Sequence, residues 1–484
     1  MAYIPLIGRL TLREYFAVFF GFVFLGIEML VRLVITIILP RPVVNWFYRR
    51  SRTLYKFARN PVDKNRDSHH DPARVTRIRT AADFGELCSI WGYEFEEHVM
   101  LTKDGYLLGL HRLCTPHGAQ RAPIGSQINQ PVVYLHHGLL MNSEIWICLT
   151  SPNRALPFVL VDLGFDVWLG NNRGNKYSKK SIRHDPNSKE FWNYSMDDFA
   201  WHDIPDSINY VLDVTRAKSL SYIGFSQGSA QAFAALSIHP QLNPKVNVFI
   251  ALAPAMSPTG LAAPVVDGLM KASPTLMYLI FGRKAILSST PFWNNIIYPP
   301  LFTNGIDKCL DFLFNWKSAN ITTEQKSAAY SHLYSFTSTK SVVHWFQIMR
   351  CGRFIMYDDD GLEVSVSHRR DGSRVSSGPT AYCPARFPTK NISSPIVLLY
   401  GDSDSLVDIK LMSKQLPANC KAIPLEGYEH LDVIWGKSVE EDVIPKVLEI
   451  LIRHCESSPR VDMHVRNSSR KWEEEISTNI SSSD

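Results

Sequence analysis

The chain has no Cys-x-x-Cys pair and no dense cysteine framework: its 8 cysteines, Cys88, Cys114, Cys148, Cys309, Cys351, Cys383, Cys420 and Cys455, are scattered over 484 residues. That spacing excludes a disulfide-stapled scaffold and favours free thiols in a reducing compartment. There is no dense stripe of Lys and Arg either. A net charge of +5, from 51 basic and 46 acidic side chains, is too mild to imply a nucleic-acid partner. The acidic run Asp358-Asp359-Asp360-Gly361 lacks the spaced ligands and closing Glu of a calcium loop, so neither a metal nor a cofactor is expected. Sequons at Asn193, Asn320, Asn391, Asn467 and Asn479 would be used only in the secretory lumen and stand against the thiol reading.

One long apolar run is present. Tyr15 to Leu39 is almost continuously apolar, about 25 residues or roughly 38 Å as a helix, against a hydrocarbon core of about 30 Å. No small-residue cleavage site closes it, so a retained anchor over residues 1–52 is expected rather than a removed signal. Glu28 and Arg32 interrupt the run at i,i+4 and can pair on one helical face, or they mark a monotopic or re-entrant segment. Arg41, Arg49, Arg50 and Arg52 follow it, which puts the remainder of the chain on the cytosolic side, with Arg9 and Arg13 weakening the asymmetry. Residues 53–85 are polar and basic and read as a linker.

From there the pattern becomes strand and helix in alternation. The stretch Tyr93 to His111 brackets an Asp104-Gly105 turn and predicts a hairpin. Val132–Leu135, Asp166–Leu169, Leu220–Gly224, Val246–Leu252, Ile396–Tyr400 and Lys421–Leu425 predict strands. Most are nearly continuous apolar runs, as in a parallel sheet covered on both faces. Residues 255–385 break the alternation. They are rich in Leu, Phe, Met, Trp, Tyr and Pro, the composition of a helical cap over an apolar pocket or of a plain structural layer.

The stretch Leu220 to Ala230 carries Gly224-Phe225-Ser226-Gln227-Gly228 between a strand and a small-residue helix start. Such a sharp turn lifts a serine hydroxyl clear of the backbone, which makes Ser226 the candidate nucleophile. A serine hydroxyl needs a base, an acid to orient the base, and donors for the developing oxyanion. Downstream, in the order Ser, acid, His, the loop after Ile396–Tyr400 holds three carboxylates (Asp402, Asp404, Asp408), and the loop after Lys421–Leu425 holds His430. The oxyanion donors expected are the backbone N–H groups of Gln227 and of Leu139, in His136-His137-Gly138-Leu139-Leu140.

These segments, together with Asp166 to Asn175, Phe191-Trp192, Ser195 to Asp198, Asp203-Ile204-Pro205 and His430-Leu431-Asp432, resemble the acid lipase family, which includes the gastric and lysosomal lipases. The likeness runs from Tyr93 to about His454, and the N-terminal anchor looks closest to the fungal membrane-anchored steryl ester hydrolases. The resemblance implies an α/β-hydrolase fold with a cap inserted after the nucleophile half, and it places the triad acid at Asp404. It also implies neutral lipid esters, steryl esters or triacylglycerols, as substrates taken from a membrane or lipid-droplet surface. Family members commonly have His where this chain has Phe225, a departure expected to alter the pocket floor. The division that follows is anchor 1–52, linker 53–85, hydrolase core 86–254, cap or lid 255–385, hydrolase core 386–456 and a disordered polar tail 457–484. An acyltransferase with the same triad and a catalytically silent membrane scaffold are the rival readings. Oligomeric state is not legible.

Overall fold

Among the described residues, the eight strands predicted from residue 93 onward and a short ninth form one sheet, in the order β1-β2-β4-β3-β6-β7-β8-β9 when numbered along the chain, with β5, the unpredicted one, off this path against β2. This computed structural model describes residues 19, 23, 26, 46, 49–53, 71–119, 125–258, 260–263, 277–278, 281–286, 297–359 and 384–455. The apolar run Tyr15–Leu39, apart from three isolated positions, and the tail 457–484 lie outside the described residues. Among the described residues no helix is long and apolar enough to cross a membrane.

The hairpin is β1 (Glu96–Leu101) and β2 (Tyr106–Leu113), antiparallel, turning at Gly105. In β1 buried and exposed residues alternate, and the inward positions include Glu96 and His98. The Glu96 carboxylate is met by His98 Nε2 at 2.9 Å and by Arg112 of β2, whose guanidinium reaches Glu96 at 3.1 Å and Asp166 at 2.7 Å. A buried charge persists only with such partners. β2 joins β4 (Asp166–Gly170) antiparallel. Then β4, β3 (Val132–His136), β6 (Leu220–Phe225), β7 (Val246–Leu252), β8 (Ile396–Gly401) and β9 (Lys421–Leu425) run parallel. β3, β4 and β6 are buried throughout, which is why they read as unbroken apolar runs. β5 is the short pair Lys180–Ser181.

Residues 72–85, expected as linker, are instead largely helical. α1 (Pro72–Thr80) starts on Asp71, whose carboxylate accepts the Ala73 and Arg74 N–H groups, with Pro72 in the first turn. α2 (Phe84–Ile90) starts in the same way on Asp83. Ile78, Phe84, Leu87 and Cys88 are buried in the core, so a few apolar residues spaced along a polar stretch sufficed to dock it. Further on, α3 (Leu156–Asp162) and α4 (Ile204–Thr215) are crossovers, and α5 (Gln227–Ile238) follows β6 directly. Small residues let α5 bury nearly its whole circumference. Between β7 and β8 come α6 (Pro299–Phe314), α7 (Thr323–Ala329) and α8 (Thr339–Cys351); α9 (Ile409–Gln415) and α10 (Ile444–His454) close the fold.

Candidate active site

Ser226 sits at the end of β6 with φ 52° and ψ −119°, a conformation that costs a non-glycine residue about 1–3 kcal/mol. The surrounding bonds hold it there. Its N–H donates to the Leu252 carbonyl at 3.0 Å, and its carbonyl accepts from the Ser229 N–H at 2.9 Å and the Ser229 hydroxyl at 2.5 Å. The two glycines of the turn are steric necessities. A Cβ on Gly224 would meet the Gly228 carbonyl carbon at 2.7 Å, and one on Gly228 would meet the His136 carbonyl oxygen at 2.4 Å.

The three carboxylates after β8 separate by partner. Asp404 accepts from His430 Nδ1 at 2.6 Å with Oδ2 and from the Leu406 N–H at 2.9 Å with Oδ1. Asp402 accepts the Gly427 N–H, and Asp408 caps α9 through the Leu411 N–H. Of the three, Asp404 faces the histidine. With Nδ1–H committed to a carboxylate, the neutral imidazole of His430 keeps its lone pair on Nε2. Asp432, two residues on, instead accepts the Glu429 N–H and the Asn320 side chain; burial pushes its carboxyl up.

The imidazole of His430 lies between two aromatic rings. Trp316 stacks on it at 4.9 Å with 7° between the planes, and Phe225 meets it at 5.2 Å. Phe225 is fully buried under the imidazole and is absent from the cavity wall. Its side chain supports the histidine from below.

Leu139 and Gln227 line one cavity of about 150 Å³ together with Ser226 and His430. Neither the Leu139 nor the Gln227 N–H donates to a protein acceptor among the described residues. The loop that carries Leu139 is fixed from behind. His137 donates Nδ1–H to the Gly138 carbonyl at 2.8 Å, while its Nε2 accepts from the Asn172 N–H at 3.1 Å and lies 3.1 Å from Asn175 Nδ2. A trans peptide sets C=O and N–H on opposite sides, so pinning the Gly138 carbonyl turns the Leu139 N–H away from His137. Burial and the neighbouring His136 hold the His137 imidazole well below its usual pKa, hence neutral. Burial takes His136 down to about 4 against its bond to Asn172. The Asn172 loop is in turn locked by Arg173, bonded to Asp203 and Asp104 under the Tyr106 ring.

The rest of the cavity wall is apolar: Leu310 and Phe314 of α6, Trp316, Leu333, and Trp345 and Met349 of α8 among others. The sequence marks these residues, Phe314 within the apolar triplet Phe312-Leu313-Phe314 among them, only as part of a helical insert, because a chemical role for an apolar side chain is visible only once its neighbour is known. It also leaves Asn171, Asn172 and Asn175 without a role; three asparagines within five residues of a strand end were the available signal.

Among known proteins, a family described as the alpha/beta hydrolase fold matches residues 131–437, and a partial alpha/beta-hydrolase lipase region matches residues 84–150. A protein described as a probable lipase from Schizosaccharomyces pombe is 46% identical over 457 residues, spanning 93% of this chain and 93% of the relative. Human lipase member K is 31% identical over 385 residues, 78% of this chain and 92% of its own. The gastric triacylglycerol lipase of Rattus norvegicus is 30% identical over 380 residues, 76% and 91%.

Proposed function

The chain belongs to the α/β-hydrolase family, on its acid lipase-like side, and from that premise we propose that it cleaves neutral lipid esters through an acyl-enzyme on Ser226. The observation that carries this is the Asp404–His430 pair at 2.6 Å beside a strained Ser226, opening on one apolar cavity. In this reading His430 Nε2 takes the Ser226 proton as Oγ attacks the ester carbonyl. The tetrahedral oxyanion is received by the free N–H groups of Leu139 and Gln227. His430 then passes its proton to the departing alcohol, and water, activated by the same nitrogen, releases the fatty acid. Asp404 holds the imidazole in the tautomer this sequence needs and stabilises the imidazolium.

The apolar wall supplied by the segment between β7 and β8 supports a cap over the site, and an acyl chain or sterol is what such a wall accommodates. Steryl esters and triacylglycerols are both proposed substrates, the latter with the gastric relative's name in support. Attachment through Tyr15–Leu39 at the endoplasmic reticulum or a lipid droplet is proposed from the sequence run. The test is hydrolysis of a panel of steryl esters, triacylglycerols and short soluble esters by the purified full-length protein. Ser226→Ala is expected to lower turnover about 10⁶-fold with protein yield unchanged. Hydrolysis retained by that variant would sink the reading.

A further inference from the structure

We infer that Trp345 of α8 is a positioning residue for the oxyanion hole, acting through the side chain of Gln227. Its indole N–H donates to Gln227 Oε1 at 2.7 Å. Both side chains are almost completely buried, 4% and 1% exposed, and both belong to the wall of the Ser226 cavity. This inference rests on Ser226 being the nucleophile.

The reason is competition for donors. Gln227 presents two groups to the same apolar space: a backbone N–H without an acceptor among the described residues, and a carboxamide oxygen that must find a donor because burial removes water. If that oxygen were unpaired, the unbonded donors of the site would be its own N–H and the Leu139 N–H, the two groups that receive the substrate oxyanion. Side chains with a carbonyl are prone to such local bonding to backbone N–H groups. The Trp345 N–H occupies the oxygen and leaves both backbone donors open to substrate. Trp345 comes from a helix more than 100 residues away, so the segment between β7 and β8 contributes to the catalytic polar groups as well as to the wall.

Trp345→Phe removes the indole N–H and keeps an aromatic ring. The expected result is about a tenfold loss of kcat, with KM for the same ester within about twofold, less than the 10²–10³ for deleting an oxyanion donor. Inhibition by a trifluoromethyl ketone of the acyl chain, whose serine adduct carries an oxyanion, weakens by the same factor, and inhibition by the corresponding alcohol, which forms no adduct, does not. Adding Gln227→Met to Trp345→Phe removes the competing oxygen and restores most of the lost kcat. A loss of kcat that Gln227→Met does not restore, or no loss at all, overturns the inference. If Trp345→Phe does not fold, replacing Trp345 by benzothienylalanine, which matches the indole in shape but has no N–H, gives the same readout. Failure of the Ser226 reading is separately visible, since Ser226→Ala would then hydrolyse esters.

Discussion

The two sides of the cavity are built by different physics. On the sheet side, Ser226, Leu139 and their supports are held by backbone bonds and a buried polar network: His136, His137, Asn172, Asn175 and Arg173 each have named partners within 3.1 Å. On the other side, Leu310, Phe314, Trp316 and Met349 meet the cavity through ring faces and methyl groups, and α6 leaves Phe312 57% exposed to solvent. The sheet side has one arrangement because the side chains that brace the Leu139 loop are paired with one another, while the Leu139 and Gln227 N–H groups have no acceptor among the described residues. The helical side can be re-shaped by substitution at modest cost, since hydrophobic contact is not directional. Substrate choice is therefore tied to the second side and the reacting groups to the first, with Trp345 and Trp316 the points at which the second side reaches those groups.

Four tests probe that contrast. Asp404→Asn, on the sheet side, is expected to lower kcat about 10⁴-fold by allowing the wrong imidazole tautomer. Asp402→Asn and Asp408→Asn keep their acceptor oxygens and should stay within about threefold, Asn capping a helix as well as Asp. Equal losses across the three would refute the assignment of Asp404. Next in size is Gly228→Ala. Its Cβ would overlap the His136 carbonyl oxygen at 2.4 Å, so β3 and α5 must part; a loss of about 1–3 kcal/mol in denaturant unfolding is expected.

A third test uses pH. His136 is buried neutral with a folded pKa of about 4 against 6.5 for the free side chain. The unfolded chain takes up the proton first, so the stabilisation is full above pH 6.5 and lost as pH falls towards 4, by about 3 kcal/mol at most. Urea unfolding at pH 7 and pH 4.5 should show this loss, and His136→Gln should flatten it; an unchanged slope would remove His136 from the account. The smallest effect belongs to the helical side. Phe314→Ala is expected to raise KM about tenfold for long-chain esters and to leave short-chain kcat nearly untouched. A matching fall in short-chain kcat would erase the distinction between the two sides.

Legibility followed the same boundary. The strands of the sheet, the Asp104-Gly105 turn and the elbow could be read because a buried parallel strand and a tight turn each leave a local signature. Chain order led to a carboxylate of the loop after β8 as the partner of His430, and the family resemblance pointed within that loop to Asp404; the different roles of Asp402 and Asp408 needed coordinates, since three carboxylates in one loop look alike until their donors are known. The docked helix over Pro72–Thr80 was missed because only Ile78 is buried in it, too little for a periodic signal. Trp316 on His430 and Trp345 on Gln227 were out of reach for another reason: each joins residues more than 100 positions apart, and no spacing rule connects them.

The helix Pro72–Thr80 has one more consequence. His332, just after α7, bridges the Ile78 carbonyl at 2.7 Å and the Glu144 carboxylate at 2.8 Å, and earlier in the chain the Ser51 hydroxyl accepts the N–H of Tyr298 at the start of α6. Both attachments reach the stretch between β7 and β8. The segment that brings Leu310, Phe314 and Trp316 to the cavity is thus fastened, through Tyr298 and His332, to residues that precede the sheet in the chain.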